Sequence, residues 1–517
     1  MELPAEVAGH PTNDQTIKRV VLTASILGSG IVFLDGTIVN VALPAIRSSL
    51  NGSLADQQWV VEAYLLTLSA LLLLGGSLGD VLGRRRVFTA GLLGFGACSL
   101  VCAAAPTTPV LIVARGVQGM TGALLVPSSL ALIIDYFEPA QRGGAIGTWT
   151  AWTGISTVIG PLGGGTLVQV ASWRWIFVIN VVPVLATVAL LRRLPPDHRT
   201  ARHVDWVGGI LCVLGLGLPV FGLIEQPRFG FSDPRVFVPI VAGVLLLIAF
   251  VAWERRSPQP MMPLQLFRVR NFAVGNLTTL AMYGGLGVST FFIVVYVQQV
   301  GGYTPIAAGL SLLPITLLIF TLSPRFGALN DRLGPRLFMS AGPIIAGAGL
   351  LLFARAGAHP SYPAVILPGV LVFGFGLAAT VAPLTATVLG SVPEGYSGLA
   401  SGANNAVSRV AGLLAIAAVG AAVSAAFSAR LEHDVAHRLL SRQAQADVRT
   451  DRTRPLVVTG PATIHPALAD ASVHAFRIGM EIAAGLAVLG GVISLLWIEN
   501  PPRRGSLAAP WQSQSNS

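Results

Sequence analysis

Three charged residues fall inside stretches otherwise fit for lipid: Asp35 in the apolar run 20–43, Glu62 in 57–79 and Arg115 in 109–134. A carboxylate at bilayer depth costs about 2.5–3.5 kcal/mol on insertion scales, so such a group faces a protein or watery interior and is functional by default. With a helical rise of about 1.5 Å per residue, the three sit about 12, 8 and 9 Å from the nearer ends of their runs, in one layer. An arginine beside carboxylates favours their charged form while burial opposes it, and this balance can poise an acid to gain and lose a proton. The chemistry implied is reversible protonation or binding of a cationic substrate at Asp35, with Glu62 assisting and Arg115 tuning both. Arg409 and Glu481 also lie within apolar runs. Arg409 remains a candidate, and Glu481 reads as structural.

These residues must be held by membrane helices. Of 517 residues, 53% are hydrophobic and 11% charged, with a mean hydropathy of +0.71. A soluble protein of this size has about 25% charged residues. Apolar runs of about 20 residues, each able to cross a hydrocarbon core, recur along the chain. The expected spans are 20–43, 57–79, 87–105, 109–134, 145–168, 174–191, 205–224, 236–253, 272–297, 304–324, 337–355, 362–389, 401–427 and 474–498. The fold class is an all-α polytopic membrane protein with 14 transmembrane helices.

Several functions are excluded. The chain has one lysine, Lys18, outside any Gly-Lys-Ser/Thr sequence, so a phosphate loop of the Walker type cannot form and the chain cannot itself drive pumping with ATP. All histidines lie in loops, tails or span edges, which removes haem or metal ligation between spans. Cys98 and Cys102 share a helix face but read as small buried hydrophobes. No cofactor, metal or enzymatic activity is expected. The net charge of +10 reflects arginines in short loops rather than a nucleic-acid surface.

Basic residues cluster in alternate loops, including Arg84 to Arg86, Arg192, Arg193, Arg255, Arg256, Arg332 and Arg336. By the positive-inside rule, both termini are cytoplasmic. The loop 428–473 is also arginine-rich but is expected outside. It contains His433 and His437, whose spacing suits one face of a solvated helix. The expected organisation is a disordered cytoplasmic tail (1–17), a six-helix bundle (18–191), two inserted helices (205–253), a second six-helix bundle (272–498) with the extracellular loop, and a cytoplasmic tail (499–517).

The bundles are related by a repeat. Gly79-Asp80-Val81-Leu82-Gly83-Arg84-Arg85 and Asn330-Asp331-Arg332-Leu333-Gly334-Pro335-Arg336 place aspartate, glycine and the last arginine at a constant offset. Parallel repeats about an axis along the membrane normal are a transporter architecture with the substrate site between halves. In the fifth run, Gly154, Gly160, Gly163 and Gly164 allow close helix approach and Pro161 permits a kink, which suits a surface on which another helix rocks.

In these motifs the chain resembles the major facilitator superfamily, and within it the fourteen-span drug:proton antiporter family (EmrB/QacA-like). Leu34 to Pro44, LDGTIVNVALP, is similar to that family's first-span signature, and Gly76 to Arg86 to the superfamily's cytoplasmic loop. The resemblance implies that Asp80, Gly83, Arg84 and Arg85, with Asp331, Gly334 and Arg336 in the repeat, form a cytoplasmic gate. Val81 stands where arginine is common, so part of that lock is weakened. Arg115 to Gly119 resembles a fourth-span motif whose arginine is implicated in proton coupling. Gly154 to Gly164 resembles a fifth-span motif associated with exporters. Segments Ser172 to Asn180 and Asp205 to Gly209 are similar to parts of fourteen-span members.

The expected function is proton-coupled export of drugs or other small lipophilic or cationic compounds by alternating access. The alternative is a dedicated exporter of one endogenous metabolite, antibiotic or lipid; a non-transporting receptor or scaffold ranks lower. Partners are the small-molecule substrate, protons and the lipid bilayer, with no nucleic acid and a monomer as the working unit. The expected location is a bacterial cell (plasma) membrane. Candidate cavity residues are Trp149, Trp152, Asn276, Tyr283, Phe291, Phe292, Tyr296 and Gln298.

Overall fold

Hydrocarbon offers no water to backbone N–H and C=O groups, so long apolar runs satisfy them internally as helices. The structure, a computed structural model, describes residues 11–194, 204–257, 260, 262, 264–392, 397–436, 455–456 and 464–500. A few side chains within these ranges, including those of Asp80 and Asp331, lie outside the description. The helices are α1 (Pro11–Leu50), α2 (Leu54–Leu82), α3 (Arg84–Ala104), α4 (Thr108–Gly122), α5 (Leu125–Tyr136), α6 (Pro139–Val170), α7 (Trp175–Val178) and α8 (Val181–Leu191). They continue with α9 (Trp206–Phe229), α10 (Pro234–Glu254), α11 (Arg270–Gln299), α12 (Pro305–Leu333) and α13 (Pro335–Phe353). The last are α14 (Leu367–Gly390), α15 (Ser397–Ala436) and α16 (His465–Trp497). No strand occurs among the described residues.

Among the described residues, eleven helical stretches are long and apolar enough to cross a membrane, counting α4 with α5 as one. Helices α2 and α6 fall on two further expected crossings but are not among the eleven, and α7 with α8 forms a shorter apolar stretch. Some boundaries differ from the expectation. Helix α1 begins at Pro11, inside the tail expected to be disordered. Helix α15 continues to Ala436 and α16 starts at His465, so both extend into the expected 428–473 loop. Arg430 joins these extensions by pairing with Asp434 at 3.4 Å and Asp470 at 2.7 Å. His433 is exposed on α15, and His437 lies outside the described residues.

Local chemistry sets several helix ends. Ser53 and Asp56 form a reciprocal capping box at the start of α2. Asp205, Asp233 and Thr304 cap α9, α10 and α12 with side-chain oxygens. Gly83 and Gly334 adopt φ of 103° and 83°, a region that excludes most side chains, and each lets the chain turn directly into the next helix.

Helices α1–α8 pack with one another, as do α11–α16, while α9 and α10 form a pair and α9 lies against α2 and α15. The hydrophobic core is shared at one end and divided at the other. One cluster joins Ile38, Leu43, Ile46 and Phe177 of the first half to Phe291, Phe292, Val297 and Phe427 of the second. At the opposite end, Val21, Ile31, Phe88 and Leu132 form a core within the first half alone. Phe272, Met339, Leu384 and Ala400 form a separate core in the second. The molecule is therefore sealed where α1 ends and split where α1 begins.

Side chains reinforce the seal. Arg47 of α1 donates to Gln299 Oε1 of α11 at 3.0 Å, and Gln298 of α11 donates to the Val41 carbonyl of α1 at 3.1 Å. Gln58 of α2 donates to the Ile416 carbonyl of α15 at 3.0 Å. Helix α6 meets α12 so closely that a Cβ on Gly165 would come within 2.7 Å of the Pro305 carbonyl oxygen.

Candidate functional site

Five helices bring a polar cluster into the first half. Asp35 of α1 pairs with Arg115 Nη1 of α4. Its other oxygen accepts from Asn180 Nδ2 at 2.9 Å and from Gln118 Nε2 at 3.2 Å. Both amides also donate to Ser99 Oγ of α3, at 3.2 and 2.8 Å. Arg115 donates to Gln118 Oε1 at 2.7 Å and to the Val60 carbonyl of α2 at 3.0 Å. Its guanidinium lies 4.1 Å from the centroid of Tyr64, whose hydroxyl donates to the Val32 carbonyl at 3.2 Å. Asp35 and Arg115 are 0% and 1% exposed.

The desolvation of such a buried pair is offset only when geometry is good and remaining hydrogen-bonding capacity is filled. Here Asn180 and Gln118 fill that of the carboxylate, while Val60 and Tyr64 occupy the guanidinium. If Asp35 gained a proton, it would lose its charge attraction to Arg115 and the latter would be left as a buried cation. The cluster is held by α1, α2, α3, α4 and the start of α8 together, so its charge balance depends on the placement of all five.

Glu62 lies apart from this network. It is fully buried, and neither carboxyl oxygen has a hydrogen-bond partner among the described residues. It stands one turn inward from Gln58, on the stretch of α2 that meets α15 at the seal. Arg409 of α15 is half-buried, with its guanidinium 5.7 Å from the centroid of Phe33 on α1. Glu481 is exposed on α16.

The repeated turns share one contact. Arg85 donates to the Leu194 carbonyl just beyond α8, and Arg336 donates to the Leu495 carbonyl near the end of α16 at 2.6 Å. Each ties its turn to the last helix of its own half. Arg84 pairs with Asp135 of α5 and donates to the Ala131 carbonyl at 3.0 Å. The side chains of Asp80 and Asp331, expected at the gate, lie outside the described residues.

The glycines of α6 divide by face. A Cβ on Gly160 would lie 3.2 Å from the Leu34 carbonyl oxygen, and one on Gly164 would lie 3.1 Å from that of Ile38, so both are packed on α1. Pro161 faces the other half: a Cβ on Gly309 of α12 would approach its carbonyl oxygen to 2.6 Å. A Cβ added at Gly154 would enter open space, and one at Gly163 would meet Ile159 of the same helix at 3.9 Å. Gly165, which the sequence does not single out, packs on the start of α12, where its Cβ would come within 2.7 Å of the Pro305 carbonyl oxygen.

Of the candidate cavity residues, Phe291, Phe292 and Tyr296 pack in the shared core, and Gln298 belongs to the seal. Asn276 Oδ1 accepts from Asn404 Nδ2 at 3.1 Å, and Asn404 also donates to Thr279 Oγ1 at 2.8 Å. Trp149 stands edge-on to Phe33, with centroids 6.3 Å apart. The sequence alone gives no role to Ser99, Tyr64, Gln118 or Asn180. Their signal was polarity at the depth of Asp35, and Gln118 also sits one turn after Arg115 on the same face.

The Major Facilitator Superfamily pattern matches residues 25–416. The puromycin resistance protein pur8 of Streptomyces alboniger is 34% identical over 494 residues, covering 93% of this chain and 90% of that protein. The multidrug resistance protein Stp of Mycobacterium tuberculosis (strain ATCC 25618 / H37Rv) is 34% identical and covers 85% and 82%. The tetracenomycin C resistance and export protein of Streptomyces glaucescens is 34% identical and covers 77% and 74%. Among solved structures, an inward-facing, unoccupied bacterial homologue of the human lysosomal transporter Spinster matches with a TM-score of 0.65 at 15% identity, over 94% of this chain and 97% of that one. The inward-open xylose transporter XylE from E. coli matches with a TM-score of 0.56 at 13% identity, over 95% and 98%. The chain belongs to the Major Facilitator Superfamily and is a multi-pass transporter of the bacterial plasma membrane.

Proposed function

We propose that this Major Facilitator Superfamily member exports small lipophilic compounds in exchange for protons by alternating access. Its fourteen crossings leave both termini in the cytoplasm, so the sealed end is extracellular and the split end opens inward. The observation that carries the reading is the Asp35–Arg115 cluster, a wholly buried charge pair held by five helices beside a core that is shared at one end only. Asp35 is the proton-coupling group, and Arg115 supplies the counter-charge that its protonation would unbalance. The close packing of α6 on α1 and α12 forms the seam that shifts as the seal opens, and Arg84 and Arg85 order the cytoplasmic turn.

A narrow substrate range is the second reading. Relatives named for puromycin, tetracenomycin C and methylenomycin A support it, because each is named for a single antibiotic. A panel of such compounds separates a dedicated exporter from a multidrug pump. The test of coupling is transport in sealed proteoliposomes under an imposed pH gradient. Gradient-driven accumulation is expected, and transport indifferent to the gradient contradicts the proposal.

A further inference from the structure

The charged side chains that α1, α2 and α15 bring to the middle of the bundle differ in availability. Asp35 is bound to Arg115, Asn180 and Gln118 and is not exposed. Glu62 is likewise inaccessible. Arg409 is partly exposed and has neither an ion pair nor a hydrogen bond among the described residues. A guanidinium presents five N–H donors in a planar fork. Phe33 occupies the face of this one at 5.7 Å and leaves the donor edge unused. Trp149, edge-on to Phe33, is buried in the first-half core and backs that ring.

A charged group at membrane depth is costly and normally has a partner. In this conformation neither buried acid supplies one to Arg409. The matching chemistry is a carboxylate, which takes two parallel N–H bonds from an arginine. The half-buried ring of Phe33 beside this fork suits a flat aromatic body.

We propose that Arg409 binds the acidic group of the exported compound, so that the substrate class is an aromatic carboxylate or comparable flat organic anion rather than a lipophilic cation. The inference rests on reading the chain as an exporter and narrows its cargo. Arg409 lies on α15, whose outer part forms the seal with α2, and Phe33 lies on α1. An anion bound there therefore touches both halves.

The test uses three fluorescent coumarins of similar shape: 7-hydroxycoumarin-3-carboxylate, its neutral amide and a trimethylammonium derivative. Binding to the full chain in nanodiscs is measured by fluorescence polarisation for wild type, Arg409→Lys and Arg409→Gln. The carboxylate is expected to bind most tightly. Arg409→Gln should weaken it by about tenfold to a hundredfold, as for loss of a hydrogen bond to a charged group, while leaving the amide unchanged. Arg409→Lys should restore part of the affinity, because it keeps the charge but not the fork. Absence of carboxylate binding at millimolar concentration, preference for the ammonium compound, or equal weakening of all three by Arg409→Gln would overturn the inference. Uptake of the carboxylate by proteoliposomes under a pH gradient judges the exporter reading separately. Charge-selective binding without gradient-driven uptake would sink that reading and leave the Arg409 assignment standing.

Discussion

The two halves share a turn but not an interior. In the first half, Arg85 reaches the Leu194 carbonyl past α8; in the second, Arg336 reaches the Leu495 carbonyl in α16. Gly83 and Gly334 make the same left-handed bend before them. The middle of the first half holds Asp35, Arg115, Gln118, Ser99 and Asn180 in one buried network. In the second half Asn276, Thr279 and Asn404 form a neutral polar cluster. The two halves share the turn, while the buried Asp35–Arg115 ion pair lies in the first.

The sharpest way to break this comparison is to remove charge from the first half. Asp35→Asn or Arg115→Gln leaves the other charge buried and unpaired, which costs about 3–5 kcal/mol. Thermal unfolding of the purified protein in detergent should show that loss, and gradient-driven transport should disappear. The double substitution should recover much of the stability without recovering coupling. Recovery of coupling as well would show that the pair serves only to hold helices together.

The glycine seam provides the next contrast. Gly164→Leu forces a side chain onto Ile38 of α1, and Gly165→Leu forces one onto Pro305 of α12. Overpacking of this kind costs about 1–3 kcal/mol. Both variants should slow transport, whereas Gly154→Ala, with no atom within 4 Å of the added carbon, should behave as wild type. Equal rates in all three would remove α6 from the moving seam.

Smaller effects test the repeat. Arg85→Ala and Arg336→Ala each remove a carbonyl contact to the last helix of one half, and each should cost about 0.5–1.5 kcal/mol. Unfolding measurements should give matching losses if the turns are structurally equivalent. A large loss for one alone would mean that the shared sequence conceals different roles. Asn404→Leu should have the least effect on coupling, at about 1 kcal/mol of stability.

Lipid makes much of this architecture legible in sequence. Each crossing needs a long apolar run, so helices and intramembrane charges stand out by position alone. Depth counting placed Asp35, Arg115 and Glu62 in one layer, and two of them meet. It could not place Glu62 correctly, because depth says nothing of azimuth: Glu62 follows Gln58 toward α15, while Val60 and Tyr64 of the same helix face Arg115. Ser99 and Asn180 were obscure because a neutral polar residue in a span has no charge to mark it, and its partners are remote in the chain. Gly165 was overlooked beside Gly163 and Gly164 because only packing reveals which face of α6 meets the other half. The extensions of α1, α15 and α16 were missed because polar helical turns beyond the membrane carry no hydropathy signal.

On the proposed mechanism, proton coupling resides in the first half and not in its repeat. The most direct measurement is substrate-driven proton movement in proteoliposomes, read by an enclosed pH-sensitive dye, for wild type, Asp35→Asn and Asn404→Leu. A pH change on substrate addition is expected in wild type and Asn404→Leu, and none in folded Asp35→Asn. A persistent proton signal in Asp35→Asn, or its loss in Asn404→Leu with stability intact, would contradict it.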